Sequence, residues 1–395
     1  MDALAKLLNL SKEEKIERGL LYTPAEIAQQ PTTWESTFRI FQQHRTALAE
    51  FLAESGCGDS PAARPTVFLI GAGTSDYVGR CLELLLIRLW GLEVVVVPST
   101  SLLTHGEEWL VPNKRYLWIS FSRSGDSPEG VAVLERALST RPEIRHIVVS
   151  CNAEGRMTRS VTGKKQALAV TLDDAVNDRS LAMTSSFSNM IVFGQCMAHI
   201  HRLDQYEKIL RQLVEAGKTF LPHAADAAAA LAAEGYERIC FIGSGALQGV
   251  ATESALKVLE LSAGKILTMS ESVMGLRHGP MAALDQTTLL VAFLSGDEKV
   301  SRYEKDLLHE LMGKQLVKSQ IVVGNRPDLP LDGFAQRYLS PEAELAIPDD
   351  CRPPLDILFG QLLGLFFSLH NNLTPDRPSP GGVINRVVQN VRIYS

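Results

Sequence analysis

Strand-like runs recur along this chain at one separation, and that recurrence restricts its fold more than any other feature. Val67-Phe-Leu-Ile-Gly-Ala-Gly73 matches Ile239-Cys-Phe-Ile-Gly-Ser-Gly245 at an offset of 172, and Glu93 to Val97 matches Lys265 to Met269 at the same offset. Ser124-Gly-Asp126 and Ser295-Gly-Asp297 stand 171 apart. The period is far too long for a solenoid, so the repeating unit is a whole domain. Two later pairs, Ile144 to Ser150 with Ser319 to Gly324 and Ala167 to Leu172 with Glu344 to Pro348, give each half five expected strands.

Helix-length segments alternate with these strands: Val78 to Leu89 and Glu129 to Leu138 in the first half, Thr252 to Leu261 and Lys299 to Gln315 in the second. Near-continuous apolar strands such as Glu93 to Val97 are buried on both faces, so the expected fold is α/β, two tandem doubly wound parallel sheets. Residues 1–60 read as a helical extension, with Ser11 and Glu14 spaced for a capping box and Ser36 to Glu54 amphipathic. The first domain is expected over 61–202, connecting helices over 203–235 and the second domain over 236–373. Pro375, Pro378, Pro380 and Gly381-Gly382 forbid a helix, so 374–395 is expected as an extended arm.

Composition narrows the function. A net charge of −6 argues against a broad nucleic-acid surface, which needs clustered Lys and Arg. The longest apolar run, Ile357 to Leu369, is broken by Gln361 and Ser368 and falls short of the ~20 residues of a membrane span, so it reads as a buried helix. Met1 is followed by charged residues and not by an apolar signal, so a cytoplasmic location is expected. The six cysteines are scattered without a Cys-x-x-Cys pair, and the nearest histidines, His199 and His201, point to different faces of a helix. No metal site is expected.

In open α/β sheets ligands bind beyond the carboxyl ends of the strands. There the first half carries Gly71-Ala-Gly-Thr-Ser75 and Ser120-Phe-Ser-Arg-Ser-Gly-Asp-Ser127. Small hydroxyls beside helix-start amides make a neutral cradle for a phosphate; the plainer reading of Thr74, Ser75, Ser122, Ser124 and Ser127 is helix capping. A dinucleotide fingerprint is incomplete, because Asp76 stands where the third Gly belongs, although Glu93 has about the spacing of a ribose-binding acid. In the second half, Glu253, Lys257 and Glu260 share one helix face at i, i+4 and i+7, either as a functional carboxylate–ammonium set or as a solvated ion pair. His278 stands in the Gly/Pro-bounded loop Ser270 to Pro280, a usual place for a catalytic histidine and equally for a structural one.

Gly73-Thr-Ser75, Ser122-Arg-Ser-Gly-Asp-Ser127, Glu253-Ser-Ala-Leu-Lys-Val-Leu-Glu260 and Arg277-His-Gly-Pro280, in that order on tandem halves, resemble the sugar isomerase (SIS) domain pair of the glucosamine-6-phosphate synthase isomerase module. The resemblance runs from about Pro65 to the C-terminus and implies flavodoxin-like sheets. Within that group the chain is most similar to the galactosamine-6-phosphate deaminase/isomerase family, long labelled tagatose-6-phosphate ketose/aldose isomerase. By resemblance, Glu260 is the base that moves a proton between sugar C1 and C2, Lys257 a substrate contact, and His278 the ring-opening group, supplied across a subunit interface. Ser122, Arg123, Ser124 and Ser127 correspond to the phosphate loop, and Gly73, Thr74, Ser75 and Thr184 or Ser185 to further sugar and phosphate contacts. Two departures stand out: the Glu260 to His278 spacing is longer than in the synthases, and Arg386, Val388 and Gln389 occupy the stretch where those enzymes carry a catalytic Lys.

The synthases draw ammonia from a glutaminase with an N-terminal Cys, whereas this sequence starts Met1-Asp2 with about 60 residues before the first strand. The expected reaction is therefore the downhill one: an amino-sugar phosphate deaminated to a ketose phosphate and ammonium, without metal or organic cofactor, in a homodimer or larger homo-oligomer with shared active sites. An aldose/ketose isomerase of a neutral hexose 6-phosphate needs the same base and the same ring opening. A non-catalytic sugar-phosphate sensor would keep the phosphate loop but has no use for Glu260 or His278. Galacto against gluco preference rests on one hydroxyl and is not legible here.

Overall fold

In a computed structural model, which describes residues 1–326, 329–342, 346–379, 381–389 and 391–394, the chain builds two five-stranded parallel sheets flanked by helices. Strands β1 (Thr66–Gly71), β2 (Val94–Pro98), β3 (Tyr116–Ser122), β4 (Arg145–Ser150) and β5 (Ala167–Thr171) lie in the order β2-β1-β3-β4-β5. Strands β6 (Arg238–Gly243), β7 (Leu267–Ser272), β8 (Thr288–Phe293), β9 (Ser319–Val323) and β10 (Arg337–Leu339) lie in the order β10-β9-β8-β6-β7. From its other edge the second order repeats the first, so the duplication read from the sequence extends to the topology. In each sheet the order reverses beside the first strand, between β1 and β3 and between β6 and β8, which makes those carboxyl ends the switch points where ligands bind.

Two expectations change. Among the described residues the last strand of the second sheet is Arg337–Leu339, paired with β9 through Arg337 opposite Ile321, where Glu344 to Pro348 was expected. Residues 343–345 lie outside the described residues, and 346–348 carry no strand. Three residues pair here, too few for propensity to mark. Glu93 precedes β2 at its amino end, where its carboxylate accepts from Thr66 Oγ1 at 2.7 Å and pairs with Lys114. That is the wrong end of the sheet for a ribose, so the dinucleotide reading falls.

The first sheet belongs to a unit made of Thr33–Asp178, Ser185–Tyr206 and Ile384–Ser395. β1 and β3 are buried at every residue, as expected for central strands. The Ser185–Ala198 helix is buried at every position, which leaves its polar side chains no water to bond. The Gln30–Glu54 helix supplies the partners: Trp34 Nε1 donates to Ser188 Oγ at 2.9 Å, and Thr37 Oγ1 to Asn189 Oδ1 at 2.7 Å. On β4, His146 is fully buried, meets Trp118 edge-on at 5.4 Å between ring centroids, and among the described residues finds no hydrogen-bond partner for either ring nitrogen.

The second sheet belongs to a unit made of Met1–Thr32, Arg179–Thr184 and Glu207–Val383. Ser11 and Glu14 form the expected capping box. The Thr23–Ala28 helix has no cap from its own preceding residue; Asp376 supplies one, its carboxylate accepting from Thr23 N at 2.8 Å and Thr23 Oγ1 at 2.7 Å. Glu26 on that helix is buried and accepts from Arg179 N at 2.5 Å and from Ser180 Oγ, bracing the segment that carries Thr184. The apolar run predicted as a buried helix is Pro353–His370. It packs against Ala246–Leu261 through Gly360 and Gly364: a Cβ at Gly360 would lie 2.2 Å from Ser254 Oγ, and one at Gly364 would lie 2.7 Å from Leu261 Cδ1. Only glycine lets the two helices approach so closely. Among the described residues no helix is long and apolar enough to cross a membrane.

Burial holds the His146 pKa at about 4, below its ordinary 6.5. The folded protein therefore keeps this ring neutral where the unfolded chain protonates it, so its contribution is complete above pH 6.5 and is lost as pH falls toward 4. The shift corresponds to about 3 kcal/mol of acid destabilisation. Urea unfolding of His146→Leu at pH 7 and pH 4.5 is expected to show a shallower loss of stability than wild type, with no penalty at pH 7, because Leu leaves no buried nitrogen unpaired. Equal losses in the two proteins would show that His146 carries no such linkage.

Candidate active site

β1 ends at Gly71, and the chain turns through Gly73, at φ +55° and ψ −127°, into the Thr74–Trp90 helix. The second unit repeats this at Gly245, with φ +57° and ψ −128°, before the Ala246–Leu261 helix. A side chain at either position would be strained, so both copies retain glycine where the backbone must turn from strand to helix. Thr74 and Ser75 are thereby placed in the first helical turn beyond β1, and both are buried.

β3 delivers the neighbouring loop. Gly125 N donates to Ser122 Oγ at 3.0 Å and Asp126 N to Ser124 Oγ at 3.2 Å, so both hydroxyl oxygens brace the turn as acceptors. The segment after β4 supports the loop from behind: Asn152 Nδ2 donates to Ser124 O at 2.8 Å, Met157 N to Gly125 O at 2.8 Å, and Arg156 N to Asp126 Oδ1 at 2.8 Å. Ser127 stands at the N-cap of the Pro128–Thr140 helix yet makes no capping hydrogen bond. This weakens the capping reading for Ser127. Arg123 is buried and donates to the Arg386 carbonyl.

Arg386 occupies the stretch where a catalytic Lys was missing from the sequence. Its guanidinium is turned onto Asn177 Oδ1 at 2.6 Å and the Asp178 carbonyl at 2.7 Å. Asp178 in turn caps the Ser185–Ala198 helix, accepting from Ser185 N at 3.0 Å and Ser186 N at 2.9 Å. Ser185 is thus the first residue of a capped helix in the first-sheet unit. Thr184 falls in the second-sheet unit, its carbonyl accepting from Gln361 Nε2 at 3.2 Å, while Gln361 Oε1 accepts from Gln30 Nε2 at 2.6 Å. Asn152, Asn177 and Asp178 escaped sequence reasoning, and Arg386 entered it only as a residue standing where a Lys was missing, because each acts on a segment its own local pattern does not mention.

In the second-sheet unit the Ala246–Leu261 helix carries Glu253, Lys257 and Glu260. Lys257 is fully buried, with Nζ 3.2 Å from Glu253 Oε1 and 2.6 Å from Glu260 Oε2. Glu253 is also fully buried, whereas the Glu260 side chain keeps 24% of its surface. The solvated-pair reading is excluded by that burial. Desolvation pulls the Lys257 pKa down, but the two carboxylates outweigh it and leave the pKa above its ordinary value. Lys257 is therefore an ammonium, unable to act as a base, and one end of its ion-paired set reaches the surface at Glu260.

His278 ends a short 3₁₀ turn, Gly275–Arg277, in an exposed loop. Arg277 ties this loop to the Glu298–Lys314 helix through Glu310 at 2.7 Å and Asp306 at 2.8 Å. Among the described residues, no side-chain bond links His278 to Lys257 or Glu260.

No family model matches the chain. A Streptomyces coelicolor protein provisionally named D-galactosamine-6-phosphate deaminase AgaS is 37% identical, over 96% of this chain and 97% of its own. The Escherichia coli D-galactosamine-6-phosphate deaminase AgaS is 34% identical over 94% of this chain and 95% of its own. Among solved structures, a Clostridium novyi protein provisionally called a tagatose-6-phosphate ketose/aldose isomerase superposes with a TM-score of 0.91 at 30% identity, covering 98% of both chains. With identities above 30% over nearly the whole length of each partner, the chain belongs to the family of the D-galactosamine-6-phosphate deaminases AgaS.

Proposed function

We propose that the protein is a deaminating isomerase that converts galactosamine 6-phosphate and water to tagatose 6-phosphate and ammonium. The observation that carries this reading is the buried Lys257 ammonium holding Glu260 at 2.6 Å, in a chain whose relatives bear the deaminase name. In the open-chain sugar the C1 aldehyde acidifies the C2 proton. Glu260 takes that proton while O1 gains one, leaving an enolamine, and returns it to C1 as the nitrogen gives one up, so that C2 becomes the ketimine. Water adds to the ketimine carbon and ammonium leaves, so nitrogen departs without change of oxidation state and no redox partner is needed. Lys257, assigned by resemblance as a substrate contact, is fully buried and acts through Glu260, whose carboxylate it orients, while Glu253 balances its charge.

The phosphate is assigned to Ser122, Arg123, Ser124 and Ser127, with Gly73, Thr74, Ser75, Thr184 and Ser185 completing sugar and phosphate contacts. Ser127, unused as a cap, supports that assignment. His278, exposed on its own chain, fits a ring-opening role in a neighbouring subunit of a homo-oligomer. Ammonia release measured over hexosamine and hexose 6-phosphates tests the reaction: turnover of neutral hexose phosphates alone would make the protein a plain aldose/ketose isomerase.

Ser124→Ala is expected to raise KM with kcat little changed, because a bound phosphate stabilises ground and transition states alike; a collapse of kcat at normal KM would remove the loop assignment. Glu260→Gln keeps the shape and removes the base, so kcat should fall by at least ~10²-fold and exchange of the C2 hydrogen with solvent deuterium should vanish. Persistent exchange would place the base elsewhere. Mixed under subunit exchange, inactive Glu260→Gln and His278→Ala proteins are expected to regain roughly a quarter of wild-type activity, since half the chains of a random dimer mixture enter heterodimers with one complete site of two. No recovery, with exchange confirmed, would assign both residues to one chain's site.

A further inference from the structure

We propose that the loop at the carboxyl end of β8 is a second oxyanion cradle, which the chain fills with its own Asp349 carboxylate. The loops after β3 and β8 are repeat partners and share one turn: Asp126 N donates to Ser124 Oγ at 3.2 Å, and Asp297 N to Ser295 Oγ at 3.0 Å. They part at the glycine amide. Gly125 N is satisfied by Ser122 Oγ at 3.0 Å. The repeat partner of Ser122 is Phe293, which has no acceptor, and Gly296 N donates instead to Asp349 Oδ1 at 2.9 Å. Ser295 Oγ, having accepted from Asp297, donates its own proton to Asp349 Oδ2.

One carboxylate thus takes a backbone amide and a hydroxyl from a glycine loop at a strand end, as a bound oxyanion would. Arg352 completes the seat. Its guanidinium is fully buried, 3.0 Å from Asp349 Oδ1 and 2.8 Å from Asp356, and donates to the Leu294 carbonyl at 2.8 Å. The Asp349 side chain keeps 26% of its surface, so the seat has a side open to solvent. Glu304, buried behind the loop, accepts from Ser295 N at 2.7 Å. With Asp349, Asp356 and Glu304 around one arginine, a further anion is repelled while Asp349 is in place. The first-sheet unit therefore keeps a cradle for an external ligand, and the second-sheet unit has turned its copy into a clasp. The clasp anchors the chain just before the Pro353–His370 helix, which packs on the helix of Lys257 and Glu260. These contacts stand whatever ligand the first loop takes, so the inference does not depend on the proposed reaction.

Asp349→Ala empties the seat and leaves Ser295, Gly296 and Arg352 facing a gap large enough for formate. The thermal midpoint is expected to fall by roughly 5–10 °C, the scale of breaking a buried ion pair in a unit of this size. Added sodium formate should restore at least half of that fall beyond any shift it causes in wild type, whereas sodium chloride at equal ionic strength should restore none. Asp349→Asn fills the seat and keeps an acceptor for Gly296, so formate should give it no excess shift over wild type. If Asp349→Ala does not remain folded, refolding yield in formate against chloride is read instead. An unchanged midpoint, an equal formate response in Asp349→Ala and wild type, an excess response in Asp349→Asn, or a refolding yield indifferent to formate would each overturn the proposal.

Discussion

A fully buried ammonium is among the costliest groups in the second-sheet unit, and two of its helices are arranged around it. Lys257 has lost its water, a loss of several kcal/mol that only facing charge offsets, and Glu253 and Glu260 provide that charge from the same helix face. Losing either carboxylate would leave the buried ammonium with one facing charge in place of two. The pair of glycines at 360 and 364 seats the Pro353–His370 helix against the Lys257 helix and excludes solvent. Burial at one end and exposure at the other make the set directional: Glu253 is sealed in, while Glu260 carries the interaction to the surface.

The two units are one architecture put to two uses. Strand order, the glycine turn after the first strand and the Ser-Gly-Asp turn after the third are common to both. The first-sheet unit surrounds its turns with hydroxyls; the second replaces Thr74, Ser75 and Ser122 by Ala246, Leu247 and Phe293. Once those hydroxyls are gone, the amide of Gly296 needs another acceptor, and Asp349 provides it from about fifty residues further along. The backbone turn is therefore common to both units although the hydroxyls around it are not.

The sequence by itself determined the features set by local pattern. Runs matched between the two halves marked nine of the ten strands of the described residues, and the offset of 172 announced the duplication before any topology was known. The Ser11–Glu14 capping box and the shared face of Glu253, Lys257 and Glu260 follow from spacing alone, because helical geometry brings i+3 and i+4 neighbours together whatever surrounds them. Tertiary structure decided whatever depends on partners distant in the chain. It made the Lys257 set a buried triad and not a solvated pair, and it gave Glu93 its partners Thr66 and Lys114. It chose Arg337–Leu339 as the last strand, where pairing with β9 outweighed propensity. Asp376 capping Thr23, Arg386 held on Asp178 and Asp349 seated on Gly296 have no local signature, since each is a carboxylate or guanidinium in a polar loop, where such residues are common. A side chain's role there is set by which orphaned amide or carbonyl the fold brings within about 3 Å, and that distance is defined only once the whole chain has packed.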